Sequence, residues 1–598
     1  MTGSAEALRW DMTVPFAGPE APELAAALAE CSGAMDVVAA ALDAGGNGAD
    51  PTAALEGLVE AINRAERRFQ VVRGYLYALT SADSTDAAAQ ARFGQVRDLG
   101  VRMAKLRARA VAHLERIDLA PILDRSGIAR EHAFVLREMQ DDARHQMPLA
   151  EEELAAELLR SGSSAWERLH RDLSSQLAAA PERGGPELPM SGVRGLASAP
   201  DRAVRARAYE AELATWARSA VPFALALNAI KAEALVLARR RGWDAPLDEA
   251  LFRSRIDRAT LEAMHGAARA AFPALRRYLA AKARLIGVPA LAWYDLAAPL
   301  PLESRRRDGW TYEGAIDFIA DRFATYSERL AGIALRARRE RWIDVEPRRG
   351  KSDGGFCVRL VDDVSRILVN FEPSFTSVEV LAHELGHAYH NSVTARLPPL
   401  RRRVPLTMAE TASMLCETIV ARAALEAAED DDERLELLDA GLRRSAVLPM
   451  ETISRFDFEE RLFERRAFGE LSVQELCELM RSTQADCYGD GLDPERLHPY
   501  LWAVKPHFYG RAFYNFPYLF GELFGRGLHA RYLADPDGFR AAYDDLLAAT
   551  GEAPVAELTA RFGIDVRTPA FWEDGLAEIV AEVDRFVALA AARPHGVG

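Results

Sequence analysis

The segment His383-Glu384-Leu385-Gly386-His387 sets two histidines four residues apart. On a helix that spacing puts both imidazoles on one face, one turn above the other. Their ring nitrogens can then converge on one tetrahedral metal ion, and two imidazoles with a carboxylate suit zinc. Glu384, offset by one residue from His383, can reach a water on the same ion and act as its general base. The chemistry of such a set is metal-assisted hydrolysis. A third ligand must come from elsewhere. The extended zinc motif that needs Gly and His seven and ten residues after the first His is missing, because those positions hold His390 and Val393. His390 lies two turns from His383, roughly 10 Å along a helix axis, too far to share the ion. Glu410 is the better candidate, on a second helix starting near Thr407 after the proline-bounded loop 398–405. Thr407 and Glu410 also stand at capping-box spacing, which is the structural alternative for Glu410. Glu417, seven residues on, shares that helix face and either orients a ligand or faces solvent. Glu379, one turn before His383, is placed to hydrogen-bond its ring.

Several elements must hold these groups. Thr376 and Glu379 have the spacing of a capping box at the start of the first metal helix. Val378, Leu381, Ala382, Leu385 and Ala388 give it a packing surface. Just upstream, the β-rich runs Phe356–Val361 and 366–371 flank Asp362-Asp363, and this reads as a β-hairpin. Elsewhere apolar residues recur at helical spacing, over 51–79, 85–117, 130–138, 149–159, 165–177, 201–285 and 313–340. A Pro- and Gly-rich stretch, 180–200, reads as a seam. The expectation is a mainly α chain with a small sheet, divided into an N-terminal helical domain (1–185) and a catalytic domain (186–598).

Bulk properties narrow the function. A net charge of −15 over 598 residues repels phosphate backbones, so nucleic acid is not expected as a partner. The short run Arg401-Arg402-Arg403 reads as a solvated loop, with substrate binding as the alternative. Five cysteines, an odd number with no Cys-x-x-Cys pair, read as reduced thiols in the cytoplasm. The first fifteen residues lack a basic segment followed by an apolar one, which argues against a signal peptide. No membrane span is expected, since the most apolar stretch, 220–237, is interrupted by Asn228, Lys231 and Glu233.

The run His383-Glu-Leu-Gly-His387-Ala-Tyr-His390, followed by Met408-Ala-Glu410-Thr-Ala-Ser413, resembles the M3 metallopeptidases and within them the oligoendopeptidase F group. Gly354-Gly-Phe-Cys357 and Ile367-Leu-Val-Asn370-Phe are similar to that group's active-site hairpin, and Ser198-Ala-Pro-Asp-Arg202 to the start of its second half. The resemblance implies a large helical zincin-like body, with a small β-sheet beside the His-Glu-x-x-His helix and a deep channel that admits short peptides. It implies one Zn2+ per chain. It also implies that Lys505-Pro-His507-Phe-Tyr509 through Tyr514 to Tyr518 lines the site, with His507 and Tyr518 donating to the oxyanion and Tyr514 nearby. An aromatic core cluster is the other reading of that segment. Strand 366–371, through Ile367, Leu368, Val369 and Asn370, is expected to pair with an extended peptide. The function so expected is a zinc endopeptidase that cuts internal bonds of oligopeptides by a metal-activated water, with Glu384 as base. A carboxypeptidase or peptidyl-dipeptidase on the same site, or a non-catalytic peptide-binding protein, stays open, as does the oligomeric state.

Overall fold

The computed structural model describes residues 8–44, 50–182, 184–302 and 309–593. Residues 1–7, on which the reading of the N-terminus partly rests, lie outside them. Helices dominate. The apolar stripe expected over 51–79 forms helix Pro51–Ala82, which buries Leu55, Leu58, Val59, Ile62, Val72 and Leu76. Asp50 caps it by accepting from the Thr52 N–H, and Pro51 occupies the first turn, where its missing N–H is no loss. Helix Leu149–Leu159 falls where its pattern predicts. The stretch 201–285 is three helices, Arg202–Arg240, Pro246–Arg253 and Arg258–Leu285, separated where Gly242 takes φ +73° and Pro246 restarts the chain. Likewise 313–340 is two helices, Tyr312–Tyr326 and Glu328–Arg339. Extended Ser327 ends the first and caps the second through the Leu330 N–H. Helix Pro22–Ala44 was not expected. Its alanine-rich sequence blurs the pattern, yet it buries Leu24, Leu28, Cys31, Met35, Val38 and Leu42.

Two helices, Pro22–Ala44 and Arg202–Arg240, are long and apolar enough by length and composition to cross a membrane. Each contributes residues to an apolar core. Lys231, one of the charges interrupting the second, is buried against Glu459 at 2.6 Å.

The described residues form two compact units. One is built from Met1–Gln146, Asp308–Ala423 and Arg531–Phe562, the other from Met147–Arg307, Ala424–Ala530 and Gly563–Gly598. These interleaved units do not follow the single division at residue 185 expected from composition. The Gly/Pro-rich stretch lies within the second unit, where Ala178–Ala179 pairs antiparallel with Leu188–Pro189. Chain breakers mark local turns; they do not say which distant segments share a core.

In the first unit the hairpin forms as expected. Phe356–Val361 pairs antiparallel with Val364–Leu368, and Asp362 takes the left-handed conformation (φ +46°) that a tight turn needs. A third strand, Ile343–Asp344, runs parallel along the far side, so the order places Val364–Leu368 in the middle. Both edges of that strand are therefore paired. Ile367, Leu368 and Val369 are fully buried, and the Val369 carbonyl accepts from Lys351 Nζ at 2.6 Å. This corrects the expectation that Ile367, Leu368 and Val369 pair with a peptide. Asn370 holds the preceding loop, donating to the Ser352 and Gly354 carbonyls at 3.0 Å each. Among the described residues Ile343–Asp344 and Phe356–Val361 are the outer strands, and each pairs with Val364–Leu368 alone.

The arginine run is not a solvated loop. Arg401 pairs with Glu131 at 2.6 Å and with Glu552, and Arg403 pairs with the buried Glu66 at 2.9 Å. Arg402 donates to the Ala395 carbonyl at 2.7 Å. A buried carboxylate such as Glu66 needs a cation beside it, which fixes where this loop runs.

Candidate metal centre

The metal helix is Phe375–Val393. Its cap is Ser374, which accepts from the Ser377 N–H, in place of the expected Thr376. Ser377 Oγ in turn accepts from the Glu372 N–H at 3.0 Å. Val378, Leu381, Ala382, Leu385 and Ala388 are buried, so the helix is fixed by its apolar face while His383 and His387 remain about a quarter exposed.

The second carrier is a short turn, Leu406–Ala409, joined through Glu410 to helix Thr411–Ala427. Glu410 Oε2 lies 3.2 Å from His383 Nε2 and 3.4 Å from His387 Nε2. Two donors on a tetrahedral zinc with bonds near 2.0–2.1 Å sit roughly 3.3 Å apart, so these separations are those of ligands around one ion. Among the described residues His383, His387 and Glu410 form the one group of His, Cys, Asp or Glu able to hold a metal, with donor atoms within 4.8 Å of one another. The residues present therefore fit zinc. Burial pushes the Glu410 carboxyl up, but hydrogen bonds with His383 and His387 outweigh it and keep the group ionised well below the usual carboxylate range.

Two supports steady these ligands. His383 Nδ1 lies 3.2 Å from Oε2 of Glu417, which is buried, so Glu417 orients the ring. Ser413 Oγ donates to Glu410 Oε2 at 2.8 Å. Sequence reasoning missed Ser413, although its place three residues after Glu410 was a usable signal. Glu379 is buried one turn before His383. His390 is held away from this group, its Nε2 lying 3.0 Å from Thr550 Oγ1 and 3.1 Å from the Leu547 carbonyl. We expect Glu417→Ala to weaken zinc affinity about ten- to a hundredfold, read by competition with a chromogenic chelator. Unchanged affinity would remove Glu417 from the centre.

Glu384 is 5 % exposed, and its Oε2 has no hydrogen-bond partner among the described residues. Burial raises its pKa, Glu410 adds to the rise, and His387 and His383 oppose it. A Cβ on Gly355 would stand 3.2 Å from Glu384 Oε1, so the glycine at the mouth of the hairpin leaves the carboxylate room. Gly354 and Gly355 are exposed, and they lead into the outer strand Phe356–Val361.

His507, Tyr514 and Tyr518 belong to the second unit. Their rings form a triangle, with His507 5.3 Å from Tyr514 and 5.8 Å from Tyr518, and the two tyrosines 5.8 Å apart. Tyr518 is 40 % exposed, so this is not a sealed aromatic core. Phe513, just before Tyr514, has φ +54°. That backbone costs a non-glycine about 1–3 kcal/mol, and the residue is held there by packing on Phe456 and Phe463.

Comparison with known proteins places the chain. An oligoendopeptidase F homolog of Lactococcus lactis is 26 % identical over 398 residues, covering 65 % of this chain and 66 % of that protein, just under two thirds of its length. A crystal structure from Chlamydophila abortus superposes with a TM-score of 0.77 at 18 % identity, over 97 % of this chain and 99 % of the other. An oligoendopeptidase F from Enterococcus faecium gives 0.70 at 18 % identity, over 96 % and 99 %. These likenesses carry the fold, a large helical body with small sheets. The family model described as Oligopeptidase F matches residues 118–178, and that of Peptidase family M3 matches 195–578. The second match takes in the metal triad and Glu384 and spans well over half of the sequence; the chain belongs to peptidase family M3.

Proposed function

We propose that this chain is a zinc-dependent oligoendopeptidase that hydrolyses internal bonds of short peptides in the cytoplasm. The observation that carries the reading is the convergence of His383, His387 and Glu410 at ligand spacing, with a buried carboxylate oxygen of Glu384, in the same helix, that has no partner among the described residues. When bound, zinc would act as a Lewis acid toward the scissile carbonyl and the attacking water. Glu384 takes the water's proton and passes it to the leaving amine. Glu417 and Ser413 keep His383 and Glu410 in place while charge develops. The exposed backbone of Gly354 and Gly355 and the outer strand after them can align an extended peptide by strand pairing. His507 and Tyr518 have the role of hydrogen-bond donors to the oxyanion, and Tyr514 packs on His507. The five cysteines are free thiols, in keeping with a reducing compartment.

The test is mass-spectrometric mapping of cuts in a peptide mixture, half of it C-terminally amidated, with Glu384→Gln as the control. Internal cuts in both halves, absent from the control, are the expected result. Trimming confined to free C-termini would make the protein an exopeptidase. No cleavage with any divalent metal would leave a peptide-binding protein.

A further inference from the structure

We propose that Glu451 is a positioning residue that ties together the two segments carrying His507 and Tyr518. Helix Val447–Arg466 presents Glu451 and Arg455 one turn apart. Glu451 Oε1 lies 3.1 Å from Lys505 Nζ and 3.3 Å from Arg455 Nη2. Lys505 caps the 3-10 turn Pro506–Tyr509, which carries His507. Arg455 Nη1 donates to Asn515 Oδ1 at 3.2 Å, and the Asn515 carbonyl accepts the Tyr518 N–H at 3.1 Å, at the start of helix Phe516–Ala534. One carboxylate thus reaches His507 through Lys505, and Tyr518 through Arg455 and Asn515.

The arrangement is built for holding. Arg455 is nearly buried and Asn515 fully so, while Lys505 is about a third exposed. Burial pushes the Glu451 carboxyl up, but Arg455 and Lys505 pull it down to about 2, so the anion persists. Burial with Arg455 and Lys505 holds His507 below its ordinary range, and Glu451 opposes them. The imidazole is thus kept neutral, with Nδ1 buried and without a partner among the described residues. Without Glu451, two cations face each other beside that ring, and the turn and the helix start lose their common anchor.

The inference rests on the reading of His507 and Tyr518 as groups that act on substrate, and a double-mutant cycle separates the two. Glu451→Gln is nearly isosteric. It should lower kcat about tenfold, leave KM within about twofold and leave the thermal midpoint nearly unchanged, because a small misplacement of a donor costs rate before it costs binding. In a background carrying both His507→Phe and Tyr518→Phe the same change should cost less than about twofold, and Glu451→Asp should recover part of the wild-type rate. An equal loss in both backgrounds, or no loss in either, overturns the positioning role. A His507→Phe enzyme with full kcat overturns the reading of His507 itself, before Glu451 enters, and the positioning role goes with it. If Glu451→Gln does not fold, Lys505→Met breaks the same tie from its other end, and the cycle with His507→Phe and Tyr518→Phe is read the same way.

Discussion

Glu384→Gln should lower peptide turnover by about a hundred- to ten-thousandfold while the protein keeps its zinc. Glutamine has the shape of glutamate but no basic oxygen, so the substitution removes proton transfer and little else. Glu384 is outside the group of donors that converge at ligand distance, which is why metal retention is expected. It is also buried, with one oxygen that has no partner among the described residues. The amide can occupy that space without a clash, since Gly355, whose Cβ would stand 3.2 Å from Oε1, leaves it open. The check is metal content by elemental analysis beside single-turnover rates on a peptide that the wild-type protein cuts. Zinc lost together with activity would make Glu384 a ligand; activity retained would remove it as the base.

The chemistry was more legible in the sequence than the supports around it, and there is a physical reason. His383 and His387 could be placed on one face from helical periodicity alone, and Glu410 from its place on a second helix after the proline-bounded loop 398–405. Those are local rules. What the sequence concealed depends on how separate elements approach one another. The middle position of Val364–Leu368 follows from a two-residue strand, Ile343–Asp344, too short to leave a periodic signal. With that strand in place, Ile367 to Val369 are core, and the outer strand of the hairpin is Phe356–Val361, on the Gly354-Gly355 side. Ser374, Thr376 and Ser377 all stand at the start of the metal helix, so composition could not choose the cap; the backbone chose Ser374. Arg401 to Arg403 look solvated until Glu66, Glu131 and Glu552 arrive from other segments. The domain division has the same cause: three separated stretches make up each compact unit.

Gly386→Ala should disable the metal centre although it adds a single methyl group to a residue that is not itself a ligand. A Cβ at Gly386 would stand 2.6 Å from Ser413 Cα, 2.8 Å from the Ala412 carbonyl oxygen and 2.9 Å from the Ser413 N. All three are backbone atoms, so no rotamer change relieves the contact. Ordinary carbon contacts are about 3.5–4.0 Å, so helix Phe375–Val393 and helix Thr411–Ala427 would have to part by about 1 Å. Helix propensity alone favours alanine over glycine by about 1 kcal/mol, whereas overpacking typically costs about 1–3 kcal/mol, so the clash wins. The displacement falls where it matters most. The imidazoles lie on one helix, Glu410 begins the other, and they now stand 3.2 and 3.4 Å apart. Moving Glu410 by a further 1 Å or so takes it beyond shared coordination of one ion, and Ser413 moves with it. We expect zinc affinity to fall at least about tenfold and the thermal midpoint to drop. Gly57→Ala in helix Pro51–Ala82 is the control, because a Cβ there meets nothing within 4 Å. The same substitution should stabilise by about 0.5–1 kcal/mol at Gly57. Equal effects at the two positions would mean that propensity, and not the approach of the metal helices, governs Gly386.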